Sequence, residues 1–302
     1  MRRKQDRWIR QNVLPTLAAL IWGTAFVAQS VGASSLGPFA FTAARSVVAF
    51  VFLLALCLGR RALAGDAAPV TKRRDLVMGG LACGTALAVA TCFQQKGLET
   101  TASGKAGFLT ALYVVLVPVL GLFTGKRTPL NVWCSLPLAA AGLYALCGGG
   151  PMTVEPGDLY VLLGAVCFAG HILIIDRFTG RVDGMELSCA QFLTEAAVCL
   201  AGAALFREPF DPAGLRTVLG PILYVGIFSS GVAYTLQILA QKGSDPTVVS
   251  LLLSLESVFA TLAGAAILHE RLAGREYLGC ALMLGAVVLA QLPPPGRGRK
   301  AA

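Results

Sequence analysis

Three charged side chains lie deep inside long apolar runs of the sequence: Arg45, Glu195 and Glu256. A charged side chain at the centre of a bilayer costs at least about 2.5–3.5 kcal/mol, so such residues are the first candidates for function. Arg45 lies about seven residues, or some 10 Å of helix, inside its run. Because a guanidinium group holds a carboxylate through two hydrogen bonds, Arg45 is predicted to bind an anionic group or to act as a gate. The alternative is a structural role, in which Arg45 snorkels to the interface or forms an ion pair.

The two carboxylates suggest proton chemistry. Glu256 lies about ten residues into its run, where a carboxyl group that gains and loses a proton would suit proton coupling. The alternative for Glu256 is a hydrogen bond within the helix packing or an ion pair with Arg45. Glu195 is predicted as a second proton site, and Gln191 precedes it by one helical turn on the same face. For Glu195 a polar contact that fixes the bundle is the alternative.

Aromatic and polar side chains with helical spacing are predicted to line a cavity. Trp22, Phe26 and Gln29 follow one another at i, i+4 and i+7, and Phe168 and His171 begin a similar stripe later in the chain. The full set of predicted binding or gating residues is Arg45, Trp22, Phe26, Tyr113, His171, Gln191, Tyr234 and Gln237. Plain helix packing is the alternative for the aromatic stripes.

The elements that carry these residues are transmembrane helices. The chain has 302 residues, of which 56% are hydrophobic and 14% are charged, with a mean hydropathy of +0.70. A soluble domain carries about 25% charged residues, and a span needs about 20 apolar residues. Ten apolar segments, numbered one to ten below, account for nearly the whole chain, so we predict an all-α protein with ten transmembrane helices. Their bounds are 13–32, 38–59, 75–94, 101–124, 129–147, 157–176, 185–205, 216–237, 246–268 and 274–292.

The distribution of basic residues predicts the orientation. Of the 25 lysines and arginines, 18 fall on the side of the termini, six on the other side, and one, Arg45, inside a segment. Basic residues are enriched on the cytoplasmic side of membrane proteins, so both termini are predicted to be cytoplasmic in a plasma (inner) membrane. The basic N-terminus with its apolar run is read as an uncleaved first helix. Because the basic residues form short clusters between apolar segments, the net charge of +9 is not taken as nucleic-acid binding.

The sequence also repeats itself with an offset of 146 residues. Gln95-Lys96-Gly97 recurs as Gln241-Lys242-Gly243, and the same register aligns Gly80 with Gly226 and Arg45 with Gln191. Five segments per copy is an odd number, so the second copy must enter the membrane from the opposite side. Inverted repeats of this kind are typical of secondary transporters, with the substrate site near the midplane. The predicted units are a tail (1–12), a first repeat (13–147), a second repeat (157–292) and a tail (293–302).

At this point the sequence resembles the ten-span EamA-type members of the drug/metabolite transporter superfamily. The motifs that carry the resemblance are Trp22–Phe26, Arg45, Leu112–Pro118, Ser254–Val258, His269–Leu272 and the pair Gly279/Gly285. Where the family often has Glu-Pro in segment nine, this chain has Glu256-Ser257. The resemblance implies a secondary carrier of small metabolites by alternating access, commonly an exporter of amino acids or related solutes.

The sequence lacks the motifs of several other classes of protein. The sequence has no P-loop for ATP-driven transport and no HExxH or GxSxG constellation, so we predict no enzyme activity and no cofactor. Its nine cysteines form no CxxC pair, and no metal site is predicted. A small-molecule substrate, the lipid bilayer and protons are the predicted partners, with a monomer or a homodimer as the assembly. A multidrug exporter, a uniporter without proton coupling, and a non-transporting membrane enzyme or sensor stay open as alternatives.

Overall fold

The computed structural model describes residues 5, 8–64, 71–126, 128–146, 155–209, 211–267 and 273–292. Within these ranges the chain is helical and contains no strand. The motif His269–Leu272 and most of the two predicted tails lie outside the described residues.

Eight helical stretches are long and apolar enough to cross a membrane, and they coincide with segments one to four and six to nine. They are Ile9–Ala33, Pro38–Leu63, Arg73–Gly97, Lys105–Phe123, Pro156–Phe178, Gly184–Leu205, Leu219–Gln241 and Pro246–Ala263. Segment five is the shorter apolar helix Leu130–Leu146, and segment ten is the helix Gly274–Gln291. The chain is therefore an all-helical, multi-pass membrane protein.

Segments five and ten pack against each other through glycines. A Cβ atom added at Gly142 would lie 2.9 Å from the backbone nitrogen of Met283, and one added at Gly279 would lie 2.8 Å from the carbonyl oxygen of Gly142. Small residues at such positions let two membrane helices approach closely. These two segments therefore form a tight pair, and none of their residues lines the central cavity described below.

This close packing predicts different outcomes for two glycines of the same helix. We expect Gly279→Ala to lower the free energy of unfolding by about 1–3 kcal/mol, because the new methyl group would overlap Leu146 and the backbone of segment five. Gly285→Ala is the matched control, since its methyl group would meet only Leu138, at 3.6 Å. Thermal unfolding of both variants in detergent micelles measures the difference. Equal melting temperatures for the two variants would contradict this packing.

Candidate functional site

A cavity lies at the centre of the bundle, between segments one to four on one side and six, eight and nine on the other. Its free volume is about 40 Å³, enough for about three water molecules. The cavity must therefore widen before it can hold a metabolite. Its walls come from both halves of the chain: Trp22, Phe26, Gln29, Arg45, Gln94, Thr110, Tyr113, Phe168, His171, Ile172, Ser229, Tyr234, Gln237, Leu253 and Glu256.

The helices of segments four and nine are both interrupted beside this cavity. Segment four is made of Ser103–Ala111 and Tyr113–Phe123, and segment nine of Pro246–Leu253 and Glu256–Ile267. Tyr113 and Glu256 are thus the first residues of the second helix in each segment. The breaks are local, because Leu112 and Ser254 keep right-handed helical backbone angles and each segment continues as one helical stretch. They fall in corresponding segments of the two halves, and interrupted helices at such places are found at transporter binding sites.

The two interruptions differ in their local sequence. In segment four, Pro118 follows the break by six residues and lacks the backbone N–H that would bind one turn earlier. In segment nine the position after Glu256 is Ser257 rather than the proline common in the resembling family, yet the helix is interrupted at Ser254 and Leu255. Segment nine is therefore interrupted even without a proline at position 257.

Segment eight is also irregular where it faces the cavity. Its middle, Val225–Ala233, is π-helical, between the α-helices Leu219–Tyr224 and Tyr234–Gln241. The indole Nε1 of Trp22 donates a hydrogen bond of 3.2 Å to the carbonyl oxygen of Ser229 in this stretch. π-Helical turns inside α-helices are frequently found at functional sites.

Arg45 lies on the cavity wall and is only 2% exposed, so its side chain does not snorkel to the surface. Its Nη2 atom lies 3.8 Å from Glu195 Oε1, and its Nη1 donates a hydrogen bond of 3.4 Å to Gln29 Oε1. The pairing of Arg45 with Glu256 that the sequence left open is not formed in this structure. Both contacts of Arg45 are long, and its Nε atom has no partner, so the guanidinium group retains capacity to bind an anion.

Glu256 lies on the cavity wall and is 3% exposed. The hydroxyl group of Tyr113 donates a hydrogen bond of 3.4 Å to Glu256 Oε1. The backbone of segment one also approaches here, since a Cβ atom at Gly23 would lie 2.7 Å from the Glu256 carbonyl oxygen. The backbone of Glu256 is thus packed against segment one, while its carboxyl group has the Tyr113 hydroxyl group of segment four as its hydrogen-bond donor.

Glu195 and Gln191 do not line the cavity but lie directly behind its wall. Glu195 is fully buried and accepts a hydrogen bond of 2.8 Å from the hydroxyl group of Thr91. The Gln191 Oε1 atom lies 3.1 Å from His171 Nε2, and the His171 ring does line the cavity. Gln191, predicted as a binding residue, therefore touches the cavity only through His171 in this conformation.

Aromatic side chains form most of the apolar wall. The rings of Trp22 and Tyr234 pack edge to face with centroids 4.8 Å apart, and Phe26 and Phe168 complete the wall. Gln237 also lines the cavity and donates a hydrogen bond of 3.3 Å to Gln241 Oε1. The arrangement offers one cation, one carboxylate and aromatic surfaces, which suits a small molecule with charged and apolar parts.

Sequence reasoning missed three polar residues of the wall. Gln94 donates a hydrogen bond of 3.0 Å to Thr110 Oγ1, and Ser229 contributes the carbonyl group bound by Trp22. Polar residues inside apolar segments were the available signal for Gln94 and Thr110. The cluster of small residues Gly226, Ser229, Ser230 and Gly231 was the signal for the irregular segment eight. Among the described residues, no group of histidine, cysteine and carboxylate side chains could hold a metal ion.

The fold and the cavity define a multi-pass helical membrane protein with a polar and aromatic site between two halves. The model of the EamA-like transporter family matches residues 12–147 and again residues 155–292. The chain therefore belongs to the EamA-like transporter family, which confirms the resemblance.

The relatives of the chain are named as transporters. An uncharacterized transporter of Archaeoglobus fulgidus is 30% identical over 277 residues, covering 91% of this chain and 84% of the relative. The uncharacterized inner membrane transporter YedA of Escherichia coli K12 is 24% identical, with coverage of 93% and 92%. A solved crystal structure with 21% identity shares the fold, with a TM-score of 0.76 and coverage of 93% and 96%. The protein is accordingly a membrane transporter.

Proposed function

We propose that the protein is a secondary carrier that exports an amino acid or a related small solute across the plasma membrane by alternating access, coupled to protons. The observation that carries this proposal is the central cavity, where Arg45 and Glu256 stand among aromatic walls contributed by both halves. A substrate carboxylate would bind Arg45, a substrate ammonium group would bind Glu256, and the apolar part would contact Trp22 and Tyr234.

Two pairs of matching contacts support ten spans in two inverted repeats. Gln95 of segment three donates to the carbonyl oxygen of Gln29 in segment one, at 2.9 Å. Its counterpart Gln241 of segment eight donates to the carbonyl oxygen of Ile172 in segment six, at 2.8 Å. In the predicted topology the first contact lies in the outer half of the membrane and the second in the inner half, as inversion requires.

The close packing of glycines repeats in the same way. A Cβ atom at Gly80 of segment three would lie 2.7 Å from Ala190 of segment seven. One at the counterpart Gly226 of segment eight would lie 2.7 Å from Val48 of segment two. The third helix of each repeat thus packs against the second helix of the other repeat. This is the arrangement expected of two bundles related by symmetry.

Ion pairs at the two ends of the bundle support alternating access. Arg60 and Asp183 pair at 2.6 Å on the predicted cytoplasmic side, and Lys105 and Asp158 pair at 2.6 Å on the outer side. Each pair joins the first half to the second. For the Asp183 carboxyl group, burial alone would raise the pKa, but the hydrogen bonds from Arg60 and from backbone amides lower it overall, so the inner pair stays charged at neutral pH. Opening the cavity to one side would break the pairs on that side only.

A flux screen in proteoliposomes tests the proposal. Vesicles containing the purified protein are loaded with pools of labelled amino acids, organic acids and cationic drugs, and efflux is followed with and without a pH gradient. We expect efflux of a zwitterionic pool that a gradient accelerates, and none from protein-free vesicles. Flux that is indifferent to the gradient would indicate a uniporter. No flux of any pool, together with turnover of a lipid, would overturn transport.

A further inference from the structure

The contact between Arg45 and Glu195 points to a coupling device that the cavity lining alone does not reveal. Arg45 faces the cavity, whereas Glu195 lies behind it and contributes no lining atom. The guanidinium group can therefore pair with either of two partners. One is Glu195 behind the wall, at 3.8 Å, and the other is an anion in the cavity. The forward neighbour present, Gln29, is neutral and lies at 3.4 Å.

We infer that Glu195 is a positioning residue that sets the affinity of Arg45 for an anion, and that a proton on Glu195 switches Arg45 towards the cavity. While Glu195 is ionised, it compensates the charge of Arg45. When Glu195 gains a proton, Arg45 is left as a buried cation without a counter-ion, and a bound anion becomes its stabilising partner. The inference rests on the proposed function for the identity of the natural anion.

The surroundings of Glu195 fit this role. Its Oε1 atom is held by the Thr91 hydroxyl group at 2.8 Å, while its Oε2 atom is buried and has no partner. The carboxyl group is therefore fixed on one side and has an open oxygen on the other, where a proton can reside. Thr91 Oγ1 also lies 2.8 Å from the carbonyl oxygen of Leu87, so it can donate to an ionised Glu195 or, while donating to Leu87, accept a hydrogen bond from a protonated one.

The other titratable or charged groups that face Glu195 from the packed segments are few. They are Arg45 on segment two, Tyr234 on segment eight and, one turn along its own helix, Cys199, whose thiol group contacts Cys92 of segment three. Arg45 is the permanent charge among them. Glu256 is the second carboxyl group at this cavity, so the test must separate the two.

Iodide serves as a probe because it is an anion small enough for the present cavity and because it quenches tryptophan fluorescence. With Trp8→Phe and Trp133→Phe, the remaining indole is that of Trp22, on the cavity wall. We expect the apparent iodide affinity to rise between about pH 8 and about pH 5 by at least about fivefold, the lower range of coupling between linked sites. Acrylamide, a neutral quencher, should show no such change.

The variants identify the residue responsible. In Glu195→Gln the apparent iodide affinity should stay at its acid value at every pH. Glu99→Gln, which changes a carboxylate outside the cavity lining, should retain the rise. Arg45→Gln should abolish the iodide preference over acrylamide. The inference is overturned if the rise survives in Glu195→Gln, if it disappears only in Glu256→Gln, if acrylamide follows the same curve, or if iodide quenches in no variant. Since the assay needs no transport, its outcome is distinct from that of the flux screen.

Discussion

Replacement of Arg45 by glutamine is expected to weaken substrate affinity in transport by about a hundredfold. Arg45 is the one cation among the lining residues, and loss of one partner of a buried, hydrogen-bonded charge pair costs about 2–5 kcal/mol, where each 1.4 kcal/mol is a tenfold change. Arg45→Lys should recover only part of the affinity, because an ammonium group cannot hold a carboxylate with a planar fork of two donors. Concentration-dependent efflux from proteoliposomes measures the effect as a change in KM.

The same substitution has a structural consequence that must be separated from binding. Arg45→Gln leaves the carboxyl group of Glu195 buried without its ion-pair partner, which destabilises the fold. The double variant Arg45→Gln/Glu195→Gln removes both charges, so its thermal stability should return towards that of the parent. Its KM should stay raised. If the double variant regained both stability and affinity, Arg45 would be a structural residue and not a binding one.

The positions of the helices could be predicted from the sequence because the bilayer imposes one length and one polarity on every span. Each predicted segment lies on a helix, and segment seven, predicted at 185–205, is observed as Gly184–Leu205. Irregular backbone was harder to predict. Pro118 marked segment four, but no proline marks the interruption at Ser254 and Leu255 or the π-helical part of segment eight. Those features depend on which segments surround them.

For the candidate site, too, the sequence predicts local properties of a residue but not its contacts with distant segments. Burial of Arg45, Glu195 and Glu256 followed from the cost of charge in lipid, but their pairing did not. Which carboxylate meets Arg45 depends on how the segments pack. Segment three approaches segment seven so closely that a Cβ atom added at Gly84 would lie 2.4 Å from the carbonyl oxygen of Gln191, one turn before Glu195. The repeat register likewise identified Gln95 but not its neighbour Gln94, which faces the cavity and binds Thr110.

Replacement of Glu256 by glutamine is expected to abolish acceleration of efflux by a pH gradient while exchange of substrate without a gradient continues. Glutamine preserves the size of the side chain and an acceptor for the Tyr113 hydroxyl group, which donates to Glu256 at 3.4 Å. It cannot carry a proton between the two sides, so the driving force is lost but the path is kept. The measurement compares labelled efflux with an imposed gradient and counterflow at equal pH, in the same vesicles.

Two further variants test whether the loss of acceleration comes from the cavity. Glu99→Gln changes a carboxylate that pairs with Lys96 at 2.6 Å outside the cavity, and it should keep full acceleration by the gradient. Tyr113→Phe removes the one hydrogen bond to the Glu256 carboxyl group and should shift the pH dependence of efflux without abolishing it. Full gradient-driven efflux by Glu256→Gln would remove Glu256 from proton coupling. Since Glu195 then remains as the other carboxyl group beside the cavity, the driving proton would have to bind there, directly behind Arg45.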